Sequence, residues 1–424
     1  MNRRRVSGWT TVALCLGLEL AAAGGAQAQR PDDVPALARM ADVKAALAGA
    51  RTSEPRTLDD QVRFCETPAP PLEESARAEL LRRAFVTVGL SNVRVDKAGN
   101  VLGERPGRQA RPHVVLAAHL DTVFPAETDV RVRREGVVLR GAGIGDNCRG
   151  LAVLVAVARA MNEARVTTGG PVTFVANVGE EGLGDLRGVK ALFGDTLKGR
   201  VDRFVSLDNA GLTISTIGVG SLRYRVTFSG PGGHSFAEFG RPNPAAALGR
   251  AAAHIADLRV TASPRTTFNI GRIGGGTSVN AIPANAWMEL DLRSSEAAAL
   301  TELDGRVQQA IDLAVQEENH RWGRAFSISV QRERVGNRPA GLTSASAPIV
   351  RTAQAVARAL GLAAGPSESS SDANLPMSLG IPAIAIGAGG RSYESHTEQE
   401  WFDGTNAWQG TQNAVLLAIA LTRD

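Results

Sequence analysis

The stretch Val114-Val115-Leu116-Ala117-Ala118-His119-Leu120-Asp121 decides the fold of this chain. Its first five residues are apolar, which is typical of a strand buried on both faces of a parallel sheet. The polar residues His119 and Asp121 follow at once, where the predicted strand ends. Because ligands bind at the carboxyl ends of the strands in open α/β sheets, this run predicts both a buried strand and one edge of a functional site.

Three further apolar runs end in the same way. The predicted strands Val172–Val178, Arg203–Leu207 and Ile381–Ile386 lead to Glu180-Glu181, to Asp208 and to a glycine-rich loop that reaches His396, respectively. Another acid, Asp146, precedes a predicted apolar helix, Leu151–Met161. Strands that alternate with helices predict an α/β fold, a mixed sheet flanked by helices, and all these polar groups converge at one edge of it.

The pattern changes near Thr213. Leu222–Phe228 and Trp287–Arg293 alternate apolar and polar residues, which indicates half-exposed strands. Helices are predicted at Pro244–Leu258 and Glu296–Glu318, the second with Ser295 as its N-cap. Since buried-strand character returns near residue 381, we predict a small α+β domain, residues 213–333. It is inserted between two parts of a larger domain, residues 29–212 and 334–424.

Composition excludes several classes of protein. Hydrophobic residues make up 43% and charged residues 21% of the 424 residues, which is typical of a globular chain and not of a disordered one. The formal net charge is only +4, so nothing favours a nucleic-acid partner. Two cysteines, Cys65 and Cys148, lie beyond the N-terminal segment. Whether they pair is left open by the sequence.

The N-terminal segment, residues 1–28, has the pattern of a signal peptide. Arg3, Arg4 and Arg5 precede a short apolar stretch, and Ala26-Gln27-Ala28 is a small-x-small cleavage pattern. The apolar stretch is far shorter than a membrane span of about 20 residues. We therefore predict cleavage after Ala28, a periplasmic or secreted protein, and no membrane span.

The polar groups at the strand ends have the chemistry of metal ligands. They are two imidazoles and three carboxylates: His119, Asp146, Glu181, Asp208 and His396. This mixture suits Zn²⁺, and three adjacent carboxylates without a cation would repel one another. Asp121 lies on the same side as His119 and could accept its second ring N–H. Glu180 remains as a candidate general base. Each element alone has an ordinary explanation, such as a solvated loop or a helix cap, but the joint pattern favours a metal site.

These residues carry a resemblance to a known family. The matching stretches are 118–123 (AHLDTV), 145–147 (GDN), 179–182 (GEEG), 208–209 (DN), 232–235 (GGHS), 280–283 (NAIP), 371–374 (SDAN) and 396–398 (HTE). The chain resembles the peptidase M20 family of co-catalytic zinc metallohydrolases, which includes aminoacylase, glutamate carboxypeptidase, acetylornithine deacetylase, succinyl-diaminopimelate desuccinylase and tripeptidases. The resemblance implies a zinc-exopeptidase-like fold with an inserted ferredoxin-like dimerisation or lid domain.

The resemblance also implies two Zn²⁺ per chain, with Co²⁺ or Mn²⁺ as alternatives. One ion would be held by His119, Asp146 and Asp208, and the other by Asp146, Glu181 and His396, so that Asp146 bridges them. Glu180 would be the general base and later the proton donor to the leaving amine. Asp121 would accept the second ring N–H of His119 and so orient this ligand.

Further roles follow from the same resemblance. His234 would reach the neighbouring active site of a homodimer and stabilise the oxyanion, and Asn280 and Arg293 would bind substrate. Taken alone, His234 could simply belong to a turn and Arg293 could be a surface charge. One departure from the family concerns the residues after Asp146. Many relatives have an acid, Lys and Gly there, whereas this chain has Asn147-Cys148-Arg149-Gly150, which leaves the subfamily and the substrate open.

We therefore expect an exported di-zinc metallohydrolase that cleaves the amide bonds of short peptides. It would be an exopeptidase, a di- or tripeptidase or carboxypeptidase-like enzyme, using a metal-activated water with Glu180 as the base. The alternative within this class is an N-acyl-amino-acid deacylase. An alternative of another class is a catalytically inactive peptide-binding homologue.

Overall fold

The computed structural model describes residues 33–323 and 325–423. The predicted signal peptide, residues 1–28, lies outside the described residues. The helices are α1 Val34–Arg39, α2 Ala41–Thr52, α3 Glu54–Cys65, α4 Ser75–Thr87, α5 Cys148–Glu163, α6 Arg187–Ala191, α7 Pro244–Ala256, α8 Ala297–Trp322, α9 Pro348–Ala359, α10 Asn374–Ser378 and α11 Trp408–Leu421. No helix in this part of the chain is long and apolar enough to span a membrane.

The strands form one large sheet and three smaller ones. In chain order they are β1 Ser91–Val95, β2 Val101–Arg105, β3 Val114–His119, β4 Arg133–Glu135, β5 Val138–Arg140, β6 Val172–Asn177, β7 Arg203–Leu207, β8 Ile214–Gly218, β9 Gly220–Ser229, β10 Gly233–His234, β11 Thr266–Gly275, β12 Ala281–Ile282, β13 Asn285–Ser294, β14 Ser329–Arg338, β15 Gly341–Leu342, β16 Pro366–Ser369, β17 Ala383–Ile386, β18 Arg391–Tyr393 and β19 Trp401–Asp403.

The large sheet is mixed and has nine strands, in the order β1-β2-β6-β3-β7-β17-β8-β15 with β16 also paired to β8. Its centre is parallel, since β3 pairs in parallel with β6 and β7, and β7 with β17. Every residue of β3, β6 and β17 is buried. The mixed sheet flanked by helices confirms the predicted fold class, and the parallel centre brings the ends of β3, β6, β7 and β17 to one edge.

Helix α5 positions the acid that precedes it. Its N-cap is Asn147, whose side chain accepts a hydrogen bond from the Gly150 N–H at 3.2 Å. The helix packs against β3, β6 and β7, and its residues from Cys148 to Met161 are all buried. Asp146 is therefore held immediately outside a helix that cannot shift without disturbing the core. Cys65 and Cys148 are both buried free thiols.

A second unit has a core of its own. Its four-stranded antiparallel sheet has the order β11-β13-β9-β14, and helices α7 and α8 pack against β9 and β13. Val226, Met288 and Ile311 are among the residues of this separate apolar cluster. We call this part, from β9 to β14, the inserted unit. The predicted boundaries at residues 213 and 333 stay predictions.

Two details differ from the sequence prediction. Helix α8 begins at Ala297 with Glu296 as its N-cap, so the prediction of Ser295 was wrong. The reason is that the Glu296 backbone is still extended, with its N–H bonded to the Ser294 hydroxyl at 3.2 Å. The predicted strand Ser327–Arg332 instead runs from Ser329 to Arg338, because β9 pairs with it as far as Arg338.

Candidate active site

A single carboxylate lies between two imidazoles at the edge of the large sheet. Asp146 Oδ1 is 3.2 Å from His119 Nε2, and Asp146 Oδ2 is 3.2 Å from His396 Nε2. His119 is the last residue of the buried strand β3, whereas His396 lies in the loop after β18. Each oxygen of one acid therefore faces a different ring, which is the arrangement that a carboxylate shared by two cations requires.

Two more acids complete the cluster. Glu181 Oε1 lies 3.2 Å from His396 Nε2, and Asp208 Oδ1 lies 4.0 Å from His119 Nε2. Ligand atoms of His119, Asp146 and Glu181 all lie within 4.8 Å of one another, close enough to hold one metal ion. The structure thus brings together the five side chains that the sequence singled out as metal ligands, at the ends of strands and in the loops beyond them.

The charges of the cluster call for a cation. Burial, and then the charge of Asp146, raise the pKa of Asp208 to about 7. Asp146 and Glu181 raise the pKa of His396 to about 10. Among the described residues no lysine or arginine forms an ion pair with Asp146, Glu181 or Asp208; their ion-pair partners are the two imidazoles. The donor set of nitrogen and oxygen ligands therefore fits divalent metal ions.

Asp121 is fully buried and has a wider role than the sequence suggested. Its backbone carbonyl lies 3.0 Å from His119 Nδ1, whereas its carboxylate is 3.6 Å from the same atom. The carboxylate oxygens accept the backbone N–H groups of Glu180 at 3.0 Å and Glu181 at 2.7 Å. Asp121 thus orients the ring of His119 through its carbonyl and fixes the loop after β6 through its side chain.

Glu180 is buried and paired with an arginine that the sequence analysis missed. Arg338 Nη1 donates to Glu180 Oε1 at 2.8 Å, and Nη2 donates to the carbonyl of Glu180. Burial raises the pKa of Glu180 well above its usual range, although the charge of Arg338 acts in the opposite direction. Arg338 ends strand β14, far from Glu180 in sequence, so no local motif could have indicated the contact.

Glu400 was also missed by the sequence analysis. Its buried carboxylate accepts three backbone N–H groups, from Gly143 at 3.0 Å, Gly145 at 2.8 Å and Asp146 at 3.1 Å. Burial raises the pKa of Glu400 to about 7, although these hydrogen bonds favour its charged form. Glu400 therefore holds the loop that presents Asp146 between the two imidazoles.

A further buried acid lies close to the cluster. Asp372 accepts a hydrogen bond from the Asn177 side chain at 2.7 Å, and burial raises its pKa to about 6. Asn177 is the last residue of β6, directly behind the loop of Glu180. The signal for this pair was present in the matching stretch 371–374, but no role was assigned to it.

The three remaining candidates lie in the inserted unit, and the structure does not join them to the cluster. His234 is exposed in β10, where its Nδ1 accepts the N–H of Phe236 at 3.2 Å. The side-chain oxygen of Asn280 accepts a hydrogen bond from the Ser278 hydroxyl at 2.6 Å, and Arg293 Nε donates to the Asp291 carboxylate at 2.7 Å. Within the described ranges, no hydrogen bond or ion pair links any of the three to the carboxylates or imidazoles of the cluster.

A sheet edge that brings together two imidazoles, three carboxylates and an arginine-paired glutamate has the chemistry of a metal-binding hydrolase site. The particular family is shown by sequence. The profile described as Peptidase family M20/M25/M40 matches residues 115–420, and the chain belongs to this family. It is a hydrolytic enzyme, and the resemblance noted in its sequence is confirmed.

Individual relatives agree with this assignment. Succinyl-diaminopimelate desuccinylase of Corynebacterium glutamicum is 26% identical over 270 residues, 60% of this chain and 70% of that protein. A tripeptidase from Staphylococcus aureus superposes with a TM-score of 0.70 at 22% identity, covering 87% of this chain and 98% of that one. A dinuclear metal-binding peptidase of the M20 family from Bacillus subtilis superposes with a TM-score of 0.63 at 18% identity, covering 87% and 98%. These structural likenesses show that the fold is shared.

Proposed function

We propose that the chain is an exported di-zinc exopeptidase that cleaves amide bonds of short peptides. The observation that carries this proposal is the position of Asp146, whose two oxygens face two different imidazoles at 3.2 Å each. His119 and Asp208 would join Asp146 at one ion, and Glu181 and His396 at the other. The metals would supply Lewis acidity that activates water and polarises the substrate carbonyl.

The chain's own groups would move the protons. Glu180 would accept a proton from the attacking water through its carboxylate and return it to the nitrogen of the leaving amine. Its burial beside the cluster supports this role, because a raised pKa lets a carboxylate hold a proton for the second step. Asp121 would keep His119 and the backbone of Glu180 in place throughout.

The inserted unit would complete the site from a second copy of the chain. His234 is exposed and unconnected to the cluster of its own chain, which supports a role for it in the neighbouring site of a homodimer. There it would donate a hydrogen bond to the carbonyl oxygen as charge develops. Asn280 and Arg293 would bind the substrate, Arg293 through the fork of its guanidinium group. The proposed limits of this dimerisation or lid domain are residues 213 and 333.

Export is supported by the sequence of residues 1–28, with three arginines, an apolar stretch and the Ala26-Gln27-Ala28 pattern. An exported hydrolase would meet short peptides in the periplasm or outside the cell. The second candidate function is an N-acyl-amino-acid deacylase, and the similarity to a desuccinylase favours it. In both reactions the bond cleaved is an amide.

The experiment is to assay the purified mature protein on panels of dipeptides, tripeptides and N-acyl amino acids, before and after treatment with a chelator. We expect the fastest turnover on one of the peptide panels, loss of activity with the chelator, recovery with Zn²⁺, Co²⁺ or Mn²⁺, and two metal ions per chain by elemental analysis. Fastest turnover on the N-acyl panel would favour the deacylase. Peptide binding without turnover, at full metal loading, would contradict the enzymatic proposal.

A further inference from the structure

The loop between β6 and α6 carries Glu180 and Glu181, and both units of the molecule hold it. We call residues 178–186 the base loop. On the side of the large sheet, the Asp121 carboxylate accepts the N–H of Glu180 at 3.0 Å and of Glu181 at 2.7 Å. These two bonds fix where the loop leaves β6, but they leave its carbonyl groups and the Glu180 carboxylate to other partners.

The inserted unit supplies the partners of Glu180 and of the Gly182 carbonyl. Arg338, the last residue of β14, donates to both the carboxylate and the backbone carbonyl of Glu180. Arg223 of β9 donates to the carbonyl of Gly182, and the backbone N–H of Asn337 donates to Asp185 Oδ1 at 2.7 Å. Two neighbouring strands of the inserted sheet, β9 and β14, thus form hydrogen bonds with three residues of the base loop.

The base loop has a backbone that depends on such outside contacts. Asp185 and Leu186 have φ angles of 53° and 58°, in the left-handed region that non-glycine residues rarely occupy. Gly179 and Gly182 also have positive φ angles, of 65° and 47°. Because non-glycine residues such as Asp185 and Leu186 keep these conformations only where surrounding structure imposes them, releasing the contacts to the inserted unit should let the loop relax.

The contacts lie where the chain crosses between the two units. Val219 precedes β9 and Pro339 follows β14, and the side-chain amide of Asn374 donates to both carbonyls, at 2.8 and 3.0 Å. Arg338 is adjacent to this doubly bonded crossing. Its position relative to the large sheet is therefore well defined, and any rotation of the inserted unit about the crossing would act on Glu180 through a short connection.

We propose that Arg338 is a positioning residue that ties the carboxylate of Glu180 to the inserted unit. This inference rests on the proposed role of Glu180 as the base. Arg338 holds Oε1, while no hydrogen bond from a described residue reaches Oε2, the oxygen left to exchange a proton with water and amine. Arg223 and Asn337 fix the rest of the base loop, so the orientation of the inserted unit sets the position of the base.

Burial, and not saturation of its donors, closes the guanidinium of Arg338 to a substrate, since its Nε–H has no hydrogen-bond partner among the described residues. Nη1 is shared between Glu180 Oε1 and the Ser370 hydroxyl at 3.3 Å, and Nη2 is engaged with the carbonyl of Glu180. Its side chain is only 4% exposed and that of Glu180 only 5%. Arg338 therefore acts through Glu180, in contrast to Arg293, whose side chain is 38% exposed.

A double-mutant cycle tests the inference. We compare Arg338→Gln, Glu180→Gln and the double variant with the wild-type holoenzyme on its best amide substrate. Arg338→Gln should lower kcat about 100-fold, as misplacement of a catalytic group does, with KM changed by less than about threefold and metal content unchanged. In the Glu180→Gln background the same change should cost nothing more, because residues that act as a unit are not additive. A rise in KM at constant kcat, or losses that multiply, would overturn the proposal.

Hydrogen–deuterium exchange supplies a readout that does not depend on activity. In Arg338→Gln, peptides that cover residues 178–186 should exchange faster, and Arg338→Lys should restore part of the protection. The matched control is Arg332→Gln on the same strand, whose ion pair with Asp312 stays within the inserted unit; it should leave both exchange and kcat unchanged. Unchanged hydrogen exchange in Arg338→Gln would refute the proposed positioning role of Arg338. If Arg338→Gln exchanges faster but the wild-type protein hydrolyses no amide, the proposed function is refuted, whereas the contact between Arg338 and the base loop is supported.

Discussion

The edge of the large sheet and the two-stranded β10–β12 sheet of the inserted unit present their candidate functional residues in opposite ways. At the sheet edge His119, Asp146 and Glu181 are buried, with ligand atoms within 4.8 Å of one another. At the β10–β12 pair His234 and Asn280 are exposed, and their side chains form hydrogen bonds only with residues close in sequence. The difference teaches that one chain brings the proposed ligands together by itself, whereas the β10–β12 pair leaves the side chains of His234 and Asn280 at its surface, where our proposal places a second copy of the chain.

The largest effect should come from the buried side of this comparison. Glu180→Gln keeps the shape and the contact with Arg338 but removes the proton acceptor, so turnover should fall about 10²–10⁴-fold. Steady-state kinetics and elemental analysis on the same sample check this. Because Glu180 is not one of the five proposed ligands, metal content should stay at the wild-type value. Substantial activity in a metal-loaded Glu180→Gln protein would assign the base elsewhere.

The exposed side is tested by His234→Ala. Loss of one oxyanion donor should cost about 2.7–4 kcal/mol of transition-state stabilisation, a decrease in kcat of about 10²–10³-fold. Fold and metal content should not change, since the His234 ring bonds only to local backbone groups.

Mixing two inactive variants sharpens the same test. If His234 serves the neighbouring site, a His234→Ala chain paired with a Glu180→Gln chain has one complete site. An equal mixture after subunit exchange should then recover about a quarter of the wild-type activity, because half of the dimers are mixed in a symmetric assembly. A mixture that stays as inactive as its components would show that His234 acts within its own chain or not at all.

Metal removal should destabilise the edge of the large sheet and leave the inserted unit unchanged. A chelator leaves the acids of the cluster without a cation, so the free energy of unfolding should fall, by about 4 kcal/mol where free metal had been about 1,000-fold above its Kd. Thermal unfolding measures the total effect. Hydrogen exchange should become faster around residues 143–146 and 394–400, whereas the inserted sheet serves as the internal control. Equal loosening of both regions would mean that the metals stabilise more than the sheet edge.

The smallest effect concerns acid sensitivity away from the cluster. His113 lies before β3, where its ring nitrogens contact the Arg200 carbonyl at 3.0 Å and the Thr173 hydroxyl at 2.8 Å. Burial lowers the pKa of His113. Its contribution to stability is therefore present above the unfolded pKa of about 6.5 and is lost as the pH falls below it. Between pH 7 and pH 5, His113→Gln should lose less stability than the wild type in denaturant titrations; an identical loss would exclude His113 as a source.

The sequence was sufficient for the sheet edge because the rule that predicts it is local. An apolar run that ends in a polar residue marks both a buried strand and its carboxyl end, and parallel strands bring those ends together. This is why His119, Glu181 and Asp208 could be placed at one edge before their distances were known. His396 and Asp146 lie in loops, but the apolar strand and helix beside them let the sequence place them at the same edge; the resemblance to a family added how the five ligands would divide between two ions.

The residues that hold the cluster in place could not be found in that way. Arg338 is remote in sequence from Glu180, and Glu400, although it follows His396 closely, binds a loop that is remote from it, so no local motif indicated either contact. In a sequence, an arginine that is buried against a partner cannot be distinguished from a surface arginine until that partner is known. Likewise, Asp121 was expected to use its carboxylate on His119, but the nearby N–H groups of Glu180 and Glu181 compete for the same oxygens and bind them.

The reach of Glu400 to the loop before α5 has a consequence for how the molecule comes into being. Glu400, His396 and the central strand β17 are all made after the inserted unit, although the acid they surround, Asp146, is made long before it. Most of the chain is therefore synthesised before His396 can approach His119. During synthesis the growing polypeptide thus lacks one of the five proposed ligands, and we expect no hydrolysis until β17 has paired between β7 and β8.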